Sequence, residues 1–307
     1  MAKCIVVHRQ DKNNVGDIAS NPLQYFLKPD EYDIVDVTDI GRLQFDESIP
    51  IIAGGGGLIG NSFMDDILRD LTGTHDRNQL LSLASEYWQI SSTSNKQTRD
   101  EFFKKLNTLV KEYSDKLSVE RSPRIIWGAG HNGEYQKKMK GRITYPKWLR
   151  EFDLVGIRDN GQEFQWVPCA SCMHPALRKE YVIKNDVIWF EHKKQLIKST
   201  DFGADPIPRF INSGDNIEQT IELLGSANTV ITNSYHGAYW ATLMKKKVFV
   251  VEPWSSKFNA MRHTPTFLGK GDFWKDHIDS ARIYNSALDE SIAATENYWA
   301  KVKQYVS

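Results

Sequence analysis

The sequence predicts an α/β protein made of two Rossmann-like, doubly wound domains that face each other across a cleft. Short apolar runs recur along the chain, and several end in glycine or polar residues, as where Ile51 and Ile52 precede the glycines at 54–57. Stretches with helical spacing lie between these runs. Such alternation is typical of parallel strands joined by crossover helices. The chain has 307 residues, which is enough for two domains of this kind.

The first half of the chain alternates predicted strands with predicted helices. Helical spacing covers Ile18 to Leu27, where Pro22 limits the start of the helix. Further helices are expected from about Ser62 and over Glu86 to Leu117. The predicted strands cover Cys4 to His8, Tyr32 to Val37, Pro50 to Ala53, Arg124 to Trp127 and Leu154 to Arg158.

The alternation stops over Pro168 to Pro175, which resembles a connector, and then resumes. We therefore predict domains over residues 1–178 and 179–285, followed by a terminal helix over 286–307. The later strands cover Asp186 to Phe190, Arg209 to Asn212, Thr229 to Thr232 and Lys247 to Val251, and the helices between them cover Ile217 to Leu224 and Ala238 to Met244.

Composition excludes several classes of protein. Lys+Arg and Asp+Glu balance at 39 each, so overall charge does not favour nucleic acid or a membrane surface as a partner. The three cysteines form no disulfide framework, which fits a reducing compartment, and we expect a cytoplasmic protein. The apolar run at the start is too short for a signal peptide. The sequence contains no run of roughly 18 apolar residues, so no transmembrane helix is expected.

The most informative motif is Ser234-Tyr235-His236-Gly237, which lies between a predicted strand and a predicted helix. Open α/β sheets bind ligands at that kind of turn, and the free N–H groups of the helix start attract phosphate. His236 is therefore predicted to be catalytic, against the alternative of a core histidine. The Gly-x-Ser-x-Gly elbow of hydrolases is absent, so Ser234 is predicted to cap the helix or to donate to phosphate.

Loops after other strands supply further candidates. The glycines at 54–57 let the backbone approach a ligand, or they form a tight turn. Asp17 either caps the next helix or accepts hydrogen bonds from substrate hydroxyls. His131 after Gly128-Ala129-Gly130 either shuttles a proton or is structural.

Cationic residues also follow predicted strands. Arg158 suits carboxylate or phosphate recognition, unless it pairs with Asp159. Lys257 adds positive charge near the His236 loop, in a stretch that could equally be a solvated loop.

The spacing Cys169-x-x-Cys172-x-His174 is similar to that of zinc-binding motifs. A structural zinc site needs four ligands, however, and Cys4 is the only other cysteine in the sequence. Two packed thiols are the better interpretation. We therefore predict no metal.

Taken in order, these motifs resemble those of the polysaccharide pyruvyl transferase family. The matching residues extend from residue 14 to about 258. They are Asn14-x-Gly16-Asp17, the glycines at 54–57, Gly128-x-Gly130, Arg158-Asp159 and Ser234-Tyr235-His236-Gly237.

The resemblance implies a fold like that of the GT-B glycosyltransferases, with the acceptor on the first domain and the donor on the second. It implies transfer of a carboxyethylidene group from phosphoenolpyruvate to two hydroxyls of a sugar in a surface polysaccharide precursor, with no cofactor. The acceptor would be a sugar or lipid-linked oligosaccharide, which would bring the protein near a membrane.

The resemblance also implies that His236 is the catalytic acid, with Asp17 or His131 as the base. Many members carry arginine where this chain has Ser234, so Arg158, Arg209, Lys257 or Arg262 must supply the charge that holds the donor. The substrate-binding residues expected are Asn14, Gly55, Gly56, Arg158, Arg209, Ser234, Tyr235, Gly237 and Lys257.

Two alternatives stay open at the level of sequence. The first is a GT-B-type glycosyltransferase that uses a nucleotide sugar. The second is a catalytically silent sugar-binding relative.

Overall fold

The computed structural model describes residues 3–37, 49–60, 122–133, 135, 143–197 and 206–306. These residues form an α/β structure with two separate parallel sheets, one of six strands and one of five. The α/β class and the two sheets confirm the coarse fold prediction. Among the described residues, no helix combines the length and apolarity needed to cross a membrane.

The first sheet has the order β2-β1-β3-β4-β5-β6. All five strands predicted in this half are present, with ends shifted by a residue or two. The sixth, β6, was missed because a two-residue strand leaves no periodic pattern. The strands are β1 Cys4–His8, β2 Tyr32–Asp36, β3 Ile51–Gly54, β4 Arg124–Ala129, β5 Leu154–Ile157 and β6 Gln165–Trp166.

The second sheet, read from one edge, has the order β8-β7-β9-β10-β11. Of these strands, β8 and β10 were predicted in full, β7 and β9 were predicted slightly short, and β11 was missed. This order repeats the 2-1-3-4-5 order of the first five strands of the other sheet. The strands are β7 Asn185–His192, β8 Arg209–Asn212, β9 Ala227–Thr232, β10 Lys247–Val251 and β11 Thr266–Leu268.

The helix predicted over Ile18 to Leu27 is wrong in its position and length. Helix α1 covers Val15–Ala19 and ends before Pro22, which has no N–H to continue it. A separate 3-10 turn follows over Leu23–Tyr25. The helices predicted from Ser62 and over Glu86 to Leu117 lie outside the described residues.

Three other helices match their predictions closely. They are α2 Ile217–Gly225, α3 Tyr235–Leu243 and α4 Ala287–Val306. Helix α4 returns to the first sheet, where Tyr298 and Val302 are fully buried in a cluster with Val6 and Trp127. The connector predicted over Pro168 to Pro175 contains a 3-10 turn over Ala170–Met173.

Both sheets change strand order at an equivalent place. The chain leaves β1 toward one edge and returns on its other side with β3, and it does the same around β7 with β9. Crevices at such switch points, at the carboxyl ends of the strands, are where open α/β sheets bind ligands. The structure therefore contains two such crevices, one on each sheet.

Candidate active site

One pocket is lined by residues from both switch points. Residues that follow β1, β3 and β5 reach it from the first sheet. From the second sheet it is reached by the last residues of β7 and β8 and by the segments that follow β9 and β10. Its lining residues are Asn14, Asp17, Gly56, Arg158, His192, Asn212, Ser234, Tyr235, His236, Trp254, Ser255, Lys257 and Phe258.

His236 lies in the first turn of α3, where Ser234 caps the helix by accepting from the Gly237 N–H at 3.4 Å. The imidazole is 7% exposed. A Cβ added to Gly16 would lie 2.0 Å from Nδ1 of His236, so the first half packs directly on this ring. On the other side, Nε2 lies 3.6 Å from Sγ of Cys169.

The environment of His236 favours its neutral form. Burial, followed by the positive charges of Arg158 and Lys257, holds the pKa of His236 well below its usual value. The imidazole is therefore uncharged near neutral pH in the ligand-free protein.

Asp17 is held on α1 by its neighbour. Asn14 caps this helix by accepting from the Gly16 N–H, and its amide donates to the Asp17 carboxylate at 2.9 Å. Asp17 itself lies inside the helix, so the prediction that it might be the cap is wrong. Burial raises the pKa of Asp17 to about 6, with Lys257 opposing the shift. A carboxylate with that pKa suits proton transfer near neutral pH.

Arg158 is the most unusual group in the pocket. Its side chain is 4% exposed, and its Nε and one terminal nitrogen are buried with no hydrogen-bond partner. Its guanidinium lies 4.2 Å from the ring centroid of Tyr235. The neighbouring carboxylate of Asp159 instead accepts from Tyr145 and from the His131 N–H. Buried charged donors are normally satisfied, so a guanidinium with unpaired nitrogens is suited to bind an anion.

Lys257 supplies the second cation, from the 3-10 turn Ser256–Phe258. Burial and the nearby Arg158 lower the pKa of Lys257 to about 8, while Asp17 opposes this shift. The ammonium lies 5.5 Å from the ring centroid of Trp254. Because β9 and β10 are neighbours, this turn lies beside the His236 loop, as the sequence predicted.

Several predicted site residues do not line this pocket. Arg209 lies at the start of β8, where it pairs with Glu191 at 2.6 Å and also donates to the Ile197 carbonyl. Nδ1 of His131 forms a hydrogen bond of 2.8 Å with the hydroxyl of Ser256. This bond helps to hold the 3-10 turn that carries Lys257. Arg262 pairs with Glu290 at 3.0 Å.

Of the three glycines predicted to bind substrate, one lines the pocket and two do not. Gly56 lines the pocket with φ 79°, and a Cβ there would meet nothing within 4 Å. Gly55 and Gly237 instead allow close packing, against the Ser20 carbonyl and the Phe190 ring respectively.

Sequence reasoning missed three polar residues of the pocket. His192 ends β7, Asn212 ends β8, and Ser255 caps the 3-10 turn that carries Lys257. Asn212 donates to Asn14 at 3.4 Å and to Ser234 at 3.2 Å, so it links the two halves. Asn212 ends a predicted strand, and His192 lies two residues after the predicted end of another at Phe190. The rule that drew attention to His236 would have found both if applied to every strand.

Cys169 and Cys172 are free, buried thiols, as the sequence predicted. Within the described part of the chain, no group of three or more His, Cys, Asp or Glu side chains is placed to hold a metal ion. The contact between Cys169 and His236 was not foreseen, because the two are 67 residues apart.

Comparison with known proteins adds no name to this pocket. No family model matches the chain, and no curated protein matches it. The case for a function therefore rests on the chemistry of the pocket.

Proposed function

We propose that the protein is a phosphoenolpyruvate-dependent pyruvyl transferase that forms a ketal on a sugar of a surface polysaccharide precursor. The observation that carries the proposal is the buried guanidinium of Arg158, which has two unpaired nitrogens and belongs to a residue that lines a pocket together with Lys257, Asp17 and His236. Two cations match a small donor that carries both a phosphate and a carboxylate. The resemblance of the ordered motifs to the pyruvyl transferases supports the same donor.

The reaction needs a proton donor and a proton acceptor. A proton added to the methylene carbon of phosphoenolpyruvate makes C2 electrophilic, and an acceptor hydroxyl attacks C2. Cleavage of the C2–O bond releases phosphate, and a second hydroxyl closes the ketal. Of the two hydroxyl protons, one replaces the proton delivered to the methylene carbon and the other leaves on phosphate.

His236 and Asp17 are assigned these proton transfers. Burial is the main reason that His236 is neutral, and the charges of Arg158 and Lys257 add to it. A dianion bound between these two cations offsets their charges and raises the pKa of His236, which favours the protonated imidazole that acts as the acid. Asp17 acts as the base toward the acceptor hydroxyls. His131 does not line the pocket, so its proposed role as a base is given up in favour of Asp17.

The donor must widen the pocket when it binds. The enclosed volume is ≈ 30 Å³, which holds a few water molecules at most. Lys257 and Trp254 are only partly buried and border the pocket, so their side chains are the ones expected to move.

The test is release of inorganic phosphate from phosphoenolpyruvate in the presence of a panel of aryl and lipid-linked glycosides. Wild type should release phosphate with at least one acceptor, and His236→Ala should abolish turnover because general acid catalysis is worth about 10²–10⁴-fold. His174→Ala, a histidine outside the pocket, is the matched control. A His236→Ala protein that is folded and retains more than about a tenth of the wild-type rate contradicts the assignment.

A second candidate is transfer from a nucleotide sugar by a GT-B-like enzyme. The observation in its favour is a pocket between the carboxyl edges of two sheets, with the capped start of α3 in its wall, which would also suit a diphosphate. Thermal stabilisation by UDP or GDP and not by phosphoenolpyruvate would favour it. Stabilisation by neither, with measurable glycan binding, would favour a silent sugar-binding protein.

A further inference from the structure

A second cavity adjoins the candidate active site at the carboxyl ends of β10 and β11. We call it the aromatic groove, and it has a volume of ≈ 630 Å³. Its lining includes Tyr135, Glu252, Phe258, Asn259, Phe267 and Lys270. Phe258 lines the small charged pocket as well, so the two cavities share a wall.

The loop after β10 separates the two cavities. Glu252 and Pro253 face the aromatic groove, whereas Trp254, Ser255 and Lys257 face the charged pocket. A small cationic pocket beside a larger groove is the arrangement that a two-substrate transferase requires, with the donor in the first and the acceptor in the second.

Aromatic rings form one side of the groove. Tyr135 and Phe267 stack with their centroids 6.2 Å apart and their planes inclined by 20°. Both rings are only partly buried, so they keep surface for a ligand. A partly exposed aromatic face suits the apolar C–H face of a sugar ring.

Glu252 provides the polar part of the groove. It is exposed and has φ 43°, a left-handed conformation that is uncommon for a residue other than glycine. Non-glycine residues held in this conformation cluster at functional sites, because the surrounding structure must stabilise them there. A carboxylate offers two acceptor oxygens, which match two neighbouring hydroxyls of a sugar.

We propose that the aromatic groove binds a hexopyranose ring of the acceptor, with the ring stacked on Phe267 and its hydroxyls donating to Glu252. Aromatic contact area with a few placed polar groups is the usual composition of a small-molecule site. The inference rests on the proposed function, because it assigns this ring to the acceptor of the transfer. It places the acceptor mainly on residues of the second half, whereas the family resemblance implied the first domain.

The test is saturation-transfer difference NMR with methyl glucopyranoside, galactopyranoside and mannopyranoside, in the absence of phosphoenolpyruvate. At least one of the three should bind to wild type. Phe267→Ala and Glu252→Gln should each weaken that binding about tenfold. Phe267→Tyr should bind the sugar as well as wild type does, because it keeps the aromatic ring. Phe273→Ala, an aromatic outside the groove, is the matched control.

A folded state of each variant is established by cooperative thermal unfolding and by an unchanged circular dichroism spectrum. Unchanged sugar affinity in Phe267→Ala overturns the groove assignment, and so does the absence of binding by all three sugars. Binding of uridine monophosphate that depends on Phe267 also overturns it, in favour of a nucleotide.

The assignment of the groove and the proposed transfer reaction can be tested separately. If Phe267→Ala still releases phosphate and its KM for the acceptor is unchanged, the proposed pyruvyl transfer is supported. The groove is then not the acceptor site. Sugar binding that depends on Phe267, without any turnover of phosphoenolpyruvate, supports the groove and overturns the transfer reaction.

Discussion

The two halves of the candidate active site share a strand order but present different chemistry to the pocket. After its third strand the first sheet presents the backbone of Gly56, whereas the second sheet presents a capped helix that carries His236. After its first strand the first half has the helix that holds Asp17, whereas the second half ends β7 with His192.

The difference shows how one topology can serve two roles. The first half contributes the carboxylate of Asp17 and the guanidinium of Arg158, and the second contributes the imidazole of His236 and the ammonium of Lys257. Each half therefore supplies one cation and one titratable group that can carry a proton. Neither half alone assembles both cations, so substitutions matched between the halves should separate their contributions.

Arg158→Lys should produce the largest effect, on donor binding. Lysine keeps the positive charge next to the buried Asp159 carboxylate but lacks the two-pronged donor geometry of arginine. A lost hydrogen bond to a charged group costs about 1.5–3 kcal/mol, so the loss of the two donors that are unpaired in Arg158 should raise the Kd for phosphoenolpyruvate about 10²–10⁴-fold. Isothermal titration calorimetry measures this change directly.

Arg209→Lys is the matched control in the second half. Arg209 pairs with Glu191 outside the pocket, so this variant should lose thermal stability and keep its donor affinity. Donor affinity that falls equally in both variants would show that Arg158 acts through the fold and not through the ligand.

Gly16→Ala should have the next largest effect, on the rate. The added Cβ would lie 2.0 Å from Nδ1 of His236, and its other near contacts belong to the same ring, so the imidazole must move. A displacement of about 1 Å at a catalytic group can lower the rate about 10²-fold. Steady-state phosphate release should show this loss in kcat.

Gly161→Ala tests whether the loss is local. Gly161 has φ 72° and nothing within 4 Å of an added Cβ, so alanine there is strained without touching the pocket. It should lower the free energy of unfolding by about 1 kcal/mol and leave kcat unchanged. A wild-type rate in Gly16→Ala would mean that the contact between the halves does not position His236.

The fold was largely predictable from sequence because parallel strands buried on both faces leave continuous apolar runs. Cys4–His8 and Lys247–Val251 were found in full for that reason. The two-residue strand β6 and the three-residue strand β11 were missed, since so short a segment carries no periodicity. The packing of α4 on the first sheet depends on contacts across the whole chain, which no local pattern records.

The site was predictable only where one residue type at a strand end already implied chemistry. His236, Asp17, Arg158 and Lys257 were all proposed from their positions after strands, and the structure brings them to one pocket. Arg209 was proposed from its charge alone, and an arginine that pairs with Glu191 cannot be told in sequence from one that faces a ligand. The order of strands in the sheets, which decides which loops meet, is not visible in the chain.

The smallest effect is expected in the pH dependence, with a change of about tenfold per pH unit on an acid limb and on an alkaline limb. Each limb reports a titratable group from a different half. Asp17, with its pKa raised to about 6, must lose its proton to act as a base in the complex, where the bound donor keeps His236 protonated, so kcat should rise up to about pH 6. Lys257, with its pKa lowered to about 8, must keep its proton to hold the anion, so the Kd for phosphoenolpyruvate should rise above about pH 8. Asp17→Asn should remove the acid limb, which distinguishes it from ionisation of the donor's phosphate.

The two limbs should also be coupled, because the groups that set them face each other across the halves. The negative charge of Asp17 holds the pKa of Lys257 up, so Asp17→Asn should move the alkaline limb to lower pH. Lys257→Arg should move the alkaline limb out of the measured range, since arginine stays charged, while the acid limb remains near pH 6. An alkaline limb that does not respond to either change would place the second ionisation outside Lys257 and would remove the electrostatic link between the two sheets.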